Sequence, residues 1–206
     1  MSYQIYGEYS AYLPLILKSF QEKIEEKNKQ QKLQTGFKLY EHFLARVKSQ
    51  ESMMDKCQRK TLPLHPHSAL REIKDSIGIR IICGFVEDIF FLVDFIKKIE
   101  GVSVYNEKDF VSKPKPNGYR SYHLILEVET PFPDCLGHQQ GKYFIEVQLR
   151  TIAMDSWASL EHQMKYKHDI KNPERLVKEL KRCADELASC DLSMQTIRQL
   201  IQEGGD

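Results

Sequence analysis

The segment "YFIEVQLR", residues 143–150, has the two-residue period of a β-strand. Successive side chains of a strand point to opposite faces, so Ile145, Val147 and Leu149 share one face and Phe144, Glu146, Gln148 and Arg150 the other. Such a strand asks for a sheet with one side in a core and the other facing water or a ligand. The stretch "YRSYHLILEVET", residues 119–130, repeats the pattern: Ser121, His123, Ile125 and Glu127 oppose Tyr122, Leu124, Leu126 and Val128. An antiparallel pairing of the two strands makes Ser121 and His123 neighbours of the far end of the Glu146–Arg150 ladder. The polar side is then either the wet face of a half-covered sheet or a ligand floor. Carboxylate, amide, imidazole and guanidinium gathered beside a stiff turn favour the floor.

Around these strands the order is helices, strand, helix, strands, helices. A helix spans residues 9–33, with Pro14 tolerated only near its start, and a second spans 37–60. "DSIGIRIICGF" is dense in β-branched residues and reads as a buried strand. "EDIFFLVDFIKKIEG" has an acidic start, a basic last turn and a terminal glycine, the marks of a helix. "VSVYNEKDFV" is a further strand, and "TIAMDSWASLEHQMKYK" returns to helical spacing. Asn172-Pro173 opens a final helix whose Leu176, Leu180, Cys183, Leu187, Met194, Ile197 and Ile201 form an apolar stripe. That stripe either packs on the domain or meets another chain. The division is an N-terminal helical segment 1–36, a core 37–168 and a C-terminal helix 169–206 that is a candidate oligomerisation element.

A formal net charge of +1 gives no global attraction to nucleic acid. The 5 cysteines contain no CxxC pair, which argues against a zinc ribbon or disulfide framework and points to a reducing, cytoplasmic setting. The N-terminus lacks the basic region and long apolar core of a signal peptide, and no apolar run is long enough for a membrane span, so no membrane partner is expected.

Asp75 stands just before the "SIGIRIIC" strand, where it supplies a second carboxylate beside Glu146. Two carboxylates at adjacent strand ends suit Mg²⁺, which takes a few carboxylate oxygens, waters and substrate phosphates. Lys48, Ser52, Lys56 and Arg59 fall on one helical stripe, and Arg80 interrupts an apolar strand where an unpartnered guanidinium is costly. There is no GxxxxGK[ST] or GxGxxG loop, so any nucleotide is held by side chains.

Taken in order, "DSIGIR", "KPKPNGYRSYH", "EVQLRT" and "MDSWASLEHQMKYK" resemble the synthetase domain of the RelA/SpoT family, over residues 40–168. The resemblance is to its small alarmone synthetases. It implies an α+β fold like the nucleotidyltransferases, with a mixed, mostly antiparallel sheet of about five strands flanked by helices. It implies transfer of the β,γ-pyrophosphate of ATP to the 3′-hydroxyl of GDP or GTP, with Mg²⁺ as cofactor. By the same resemblance Asp75 and Glu146 hold the metal and Glu146 accepts the 3′-hydroxyl proton. Arg46 and Arg80 clamp adenine, while Lys48, Ser52, Lys56 and Arg59 grip the ATP phosphates. Tyr119 stacks on guanine, with Lys113, Asn117, His123 and Gln148 completing the acceptor site. Relatives are homotetramers, with a regulatory alarmone or single-stranded RNA as candidate further partners. The stretch "NEKD", residues 106–109, departs from the long enzymes by placing Asn106 where arginine is expected. His168-Asp169 is isolated, so no hydrolase site is expected. Two other readings stay open: a toxic relative acting on adenosine nucleotides or tRNA 3′ ends, and an inactive guanine-nucleotide or RNA-binding module.

Overall fold

The computed structural model describes residues 4–165 and 172–204. The His168-Asp169 pair lies outside them. After a short 3-10 turn at Gly7–Ala11 come α1 (Tyr12–Thr35), β1 (His42–Val47), α2 (Gln50–Arg59), β2 (Ile77–Cys83) and α3 (Val86–Lys97). Then follow β3 (Val102–Asp109), β4 (Tyr122–Glu129), β5 (Lys142–Thr151), α4 (Ile152–Lys165) and α5 (Pro173–Glu203). Pro14 falls in the first turn of α1. Asn172 caps α5 by accepting from the Arg175 amide, with proline in the first turn.

The expected single helix over residues 37–60 is replaced by β1 and then α2. Ser49 supplies the break: its backbone is extended and its side chain accepts from the Ser52 amide, capping α2. "HFLARV" becomes a strand because β2 offers it a full antiparallel ladder, from His42 opposite Ile82 to Val47 opposite Ile77. Long-range pairing outweighs a local preference that sequence spacing alone cannot resolve. Lys48 therefore precedes α2 instead of opening a continuous helical stripe.

The 5-stranded sheet runs β1-β2-β5-β4-β3. Only β2 and β5 pair in parallel, the other neighbours being antiparallel. One face is aliphatic: Ile77, Ile79, Ile81, Val147, Leu149, Leu124 and Leu126 pack with Ile16 and Phe20 of α1 and Ile89, Leu92 and Ile96 of α3. The register makes straight rows on the other face. Leu44, Arg80, Gln148, His123 and Lys108 lie side by side across the strands. The next row is Arg46, Gly78, Glu146, Ile125 and Asn106. Glu146 and Gln148 of β5 thus sit half-buried at the middle of this face, with His123 directly beside Gln148.

The apolar stripe of α5 divides in two. Leu180, Cys183 and Leu187 pack around Trp157 of α4 and Ala184. Further along, Asp191, Gln195 and Arg198 turn inward, while Met194, Ile197 and Ile201 stay exposed. Arg198 donates to Asp88 of α3 across 2.7 Å, and Thr151 donates to Asp191 across 2.7 Å. Buried polar groups require such partners. The helix is therefore fastened to the domain by polar residues, leaving its second apolar half outside.

Candidate active site

Arg46, Gly78, Arg80, Glu146 and Gln148 line an open cleft of about 460 Å³, walled along β1 by Phe43, Leu44 and Ala45. Gly78 forms part of the floor, and a Cβ added there would meet nothing within 4 Å. The two arginines come from antiparallel neighbours in adjacent rows, Arg46 opposite Gly78 and Arg80 opposite Leu44. Arg46 is exposed. Arg80 reaches Asp155 of α4 at 3.5 Å, while its buried Nε has no partner. No hydrogen bond or ion pair engages the Glu146 carboxylate among the described residues, although it lies half-buried on β5, next to Gly78 in the row of Arg46 and diagonal to Arg80. An exposed arginine, a second with a bare Nε and an unengaged carboxylate in one cleft can receive a planar base and an anionic chain.

At the cleft's edge, Asp75 Oδ2 accepts from both Lys48 and Lys56, the latter at 2.5 Å. Burial opposes its ionisation, but hydrogen bonds from the two lysines prevail and hold the carboxyl below its usual range. Burial pushes the Lys48 ammonium down despite that pairing. Asp75 Oδ1 is buried with no partner. That bare oxygen and the unengaged Glu146 carboxylate are donors of the kind Mg²⁺ takes. Among the described residues no group of 3 or more metal-binding side chains exists, so phosphates would have to complete its shell. On α2, Ser52 lies in the first turn, where its hydroxyl accepts from Ser49 Oγ at 3.0 Å. Arg59 is exposed and folds back onto the Asp55 carbonyl at 3.4 Å. The basic set is thus divided: Lys48 and Lys56 converge on Asp75, and Arg59 does not join them.

Opposite stands the turn before β4. The Gly118 amide donates to the Lys115 carbonyl at 2.8 Å, and the Tyr119 amide to Asn117 Oδ1 at 3.1 Å. Gly118 adopts φ +90°, and a Cβ would stand 2.4 Å from that of Ala184 in α5. Glycine is needed both for the left-handed backbone and for the close helix. Asn117 Nδ2 donates to Glu161 of α4 at 3.2 Å. Lys113 is exposed at the start of the turn.

The Tyr119 hydroxyl receives a hydrogen bond from Arg150 Nη2 and contacts His123 Nε2, each at 2.8 Å. Arg150 can only donate, so the phenol keeps its own proton and is free to donate it to His123 Nε2. Burial, together with the positive charges of Arg150, Lys115, Lys108 and Arg80, lowers the imidazole to about 4 and keeps it neutral. The Tyr119 ring meets Phe110, His123 and Trp157 edge-on, with Lys115 Nζ 4.7 Å from its centroid. A base stacking on that face displaces Lys115. The sequence reading thus placed Tyr119, Asn117, His123 and Gln148 around one region, but gave no role to Lys115, Arg150 or Asp155. Arg150 was visible as the next residue on the Glu146–Gln148 face; Asp155 carries no local signal.

The RelA_SpoT family model, described as the region found in RelA / SpoT proteins, matches residues 45–171. The GTP pyrophosphokinase YwaC of Bacillus subtilis is 39% identical over 166 residues, 81% of this chain and 77% of that protein. The solved small alarmone synthetase 2 of Bacillus subtilis superposes with a TM-score of 0.77 at 35% identity, covering 94% of this chain and 98% of its own. Small alarmone synthetase 1 of the same organism, bound to its product pppGpp, gives 0.75 at 28% identity over 92% of this chain and 94% of that one. The chain belongs to the RelA/SpoT family, with small alarmone synthetases as its relatives in both sequence and fold.

Proposed function

We infer that this chain is a GTP pyrophosphokinase: it moves the β,γ-pyrophosphate of ATP to the 3′-hydroxyl of GDP or GTP, giving ppGpp or pppGpp and AMP. The carrying observation is that one sheet face holds a cleft with two arginines, an unengaged carboxylate and, beside it, a braced aromatic turn. In this reading Arg46 and Arg80 take the adenine. Lys48 and Lys56 pass from Asp75 to the phosphates, joined by Ser52 and Arg59. Tyr119 stacks on guanine, with Lys113, Asn117, His123 and Gln148 around the acceptor.

The transfer is an in-line displacement at the β-phosphorus. A bond forms from the acceptor 3′-oxygen, the bond to the α,β-bridging oxygen breaks, and AMP leaves. The protein's task is to align the attacking oxygen and neutralise charge. Glu146 takes the 3′-hydroxyl proton, for which its unengaged carboxylate is suited. Asp75 and Glu146 would hold Mg²⁺, which supplies charge neutralisation at the phosphates. Asp75→Asn tests that role through metal affinity: its half-maximal Mg²⁺ concentration should rise, and an unchanged value would refute it.

The exposed Met194, Ile197 and Ile201 of α5 support assembly of copies, a homotetramer by resemblance, which light scattering tests. No helix among the described residues is long and apolar enough to cross a membrane, and all 5 cysteines are free, which supports a cytoplasmic setting. Regulation by an alarmone or single-stranded RNA is tested by titrating each into the protein and following both binding and rate.

The deciding experiment incubates the chain with labelled ATP and, separately, GDP, GTP, AMP and tRNA. Label on GDP and GTP with release of AMP is expected. Label on tRNA or AMP alone would establish the toxic-relative reading, and no transfer to any acceptor the binding-module reading.

A further inference from the structure

Arg150 is only 6% exposed, so it lies beneath the acceptor region and out of reach of a nucleotide. Each of its three guanidinium nitrogens nevertheless donates to a neighbour. Nη2 donates to the Tyr119 hydroxyl at 2.8 Å and to Gln148 Oε1 at 3.1 Å. Nε donates to Ser121 Oγ at 3.2 Å, and Ser121 in turn donates to the Leu149 carbonyl at 3.3 Å. Nη1 donates to Asp155 Oδ1 at 2.9 Å, the same oxygen that Arg80 approaches at 3.5 Å. The cation also lies 5.3 Å from the Tyr119 ring centroid. A planar fork with fixed donors can serve all these partners at once, which a lysine ammonium cannot.

Resting on the acceptor role given above to Tyr119 and Gln148, we propose that Arg150 is the positioning residue of the acceptor subsite. It sets the tyrosine ring and the glutamine amide in register and ties them through Asp155 to Arg80 on the donor side. The hydrogen bond from Arg150 also leaves the phenol its own proton to give to His123. The plate is fixed before substrate arrives, which reduces the ordering cost of binding. A purely structural ion pair would need only Asp155. It would not need a second nitrogen spent on two residues that face the acceptor.

The test is initial-rate kinetics with ATP and GTP for wild type, Arg150→Lys, Tyr119→Phe, the double variant and Asp155→Asn, with a melting curve for each. Arg150→Lys should raise the KM for GTP about tenfold and leave the KM for ATP within about twofold, since charged hydrogen bonds to Tyr119 and Gln148 are lost. Tyr119→Phe should raise the KM for GTP in the same direction. The double variant should be no worse than the poorer single one, because both changes cut one link. Asp155→Asn, touching both guanidinium groups, should raise both KM values. Equal rises for ATP and GTP in Arg150→Lys, a fall in kcat alone, or effects that multiply in the double variant would overturn the proposal. If Arg150→Lys shows no melting transition, Tyr119→Phe decides, and an unchanged KM for GTP overturns it. A wild type that transfers nothing to GDP or GTP refutes the proposed function instead. Positioning is then read from GTP dissociation constants of the same variants by calorimetry, with the same expected pattern.

Discussion

His123 is where the acceptor network becomes measurable as stability. Burial and the surrounding Arg150, Lys115, Lys108 and Arg80 lower its pKa from 6.5 to about 4. The native state therefore binds fewer protons than the unfolded chain between those values, and stability must fall as pH drops through that window. The contribution is full above 6.5, declines toward 4 and is flat below. At about 1.4 kcal/mol per pKa unit the whole span is worth about 3 kcal/mol, of which about 2 kcal/mol is lost by pH 5. The comparison is with His123→Gln, whose amide oxygen can still accept from the Tyr119 hydroxyl but does not titrate. Carboxylates elsewhere titrate in both proteins and cancel in the difference. Urea unfolding at pH 7.5 and pH 5 gives the two stabilities. The gap between wild type and variant should move by about 2 kcal/mol against the wild type on acidification. Parallel loss of stability in the two proteins would refute a neutral, half-buried His123.

Gly78→Val should leave the melting temperature equal or higher, because glycine weakens a strand and a side chain there meets nothing within 4 Å. The same substitution fills the floor between Arg46 and Glu146, so ATP binding measured by calorimetry should weaken at least tenfold; normal affinity would show that the donor does not use this cleft. Gly118→Ala should cost about 1–2 kcal/mol from the left-handed backbone alone. The contact with Ala184 adds to it, so pairing with Ala184→Gly should recover part of the denaturation midpoint, and no recovery would separate the turn from α5.

The period-two strands were legible because each residue of β4 and β5 has to choose between a covered and an uncovered face. That choice put Glu146, Gln148 and His123 on one surface before any topology was known. The sequence reading failed at β1, whose partner β2 lies more than thirty residues away, so that nothing local distinguishes it from the start of a helix. It also treated Lys48 to Arg59 as one stripe. The strand-to-helix break at Ser49 instead sends Lys48 and Lys56 onto Asp75. Asp155 was invisible for a related reason. Its value lies in standing between Arg80 and Arg150, and that needs α4 folded back over the ends of β2 and β5.

The two halves of the site are prepared in opposite ways. On the acceptor side nearly every polar group is already paired: Tyr119 with His123 and Arg150, Asn117 with Glu161, Gln148 with Arg150. On the donor side Asp75 Oδ1 and Arg80 Nε are buried without partners, and Glu146 is unengaged. A buried polar atom left without a partner costs about 1–3 kcal/mol, so these donor-side groups gain by pairing with a ligand. In the proposed reading a guanosine would meet a finished plate, from which Lys115 has to withdraw. ATP would meet unsatisfied groups, and its arrival would redistribute Lys48 and Lys56 from Asp75 to phosphate. Donor binding should accordingly reorganise the protein more than acceptor binding does. Hydrogen exchange in α2 ought to respond to an ATP analogue and remain nearly unchanged with GDP. The reverse response would place the mobile half of the site on the guanosine side.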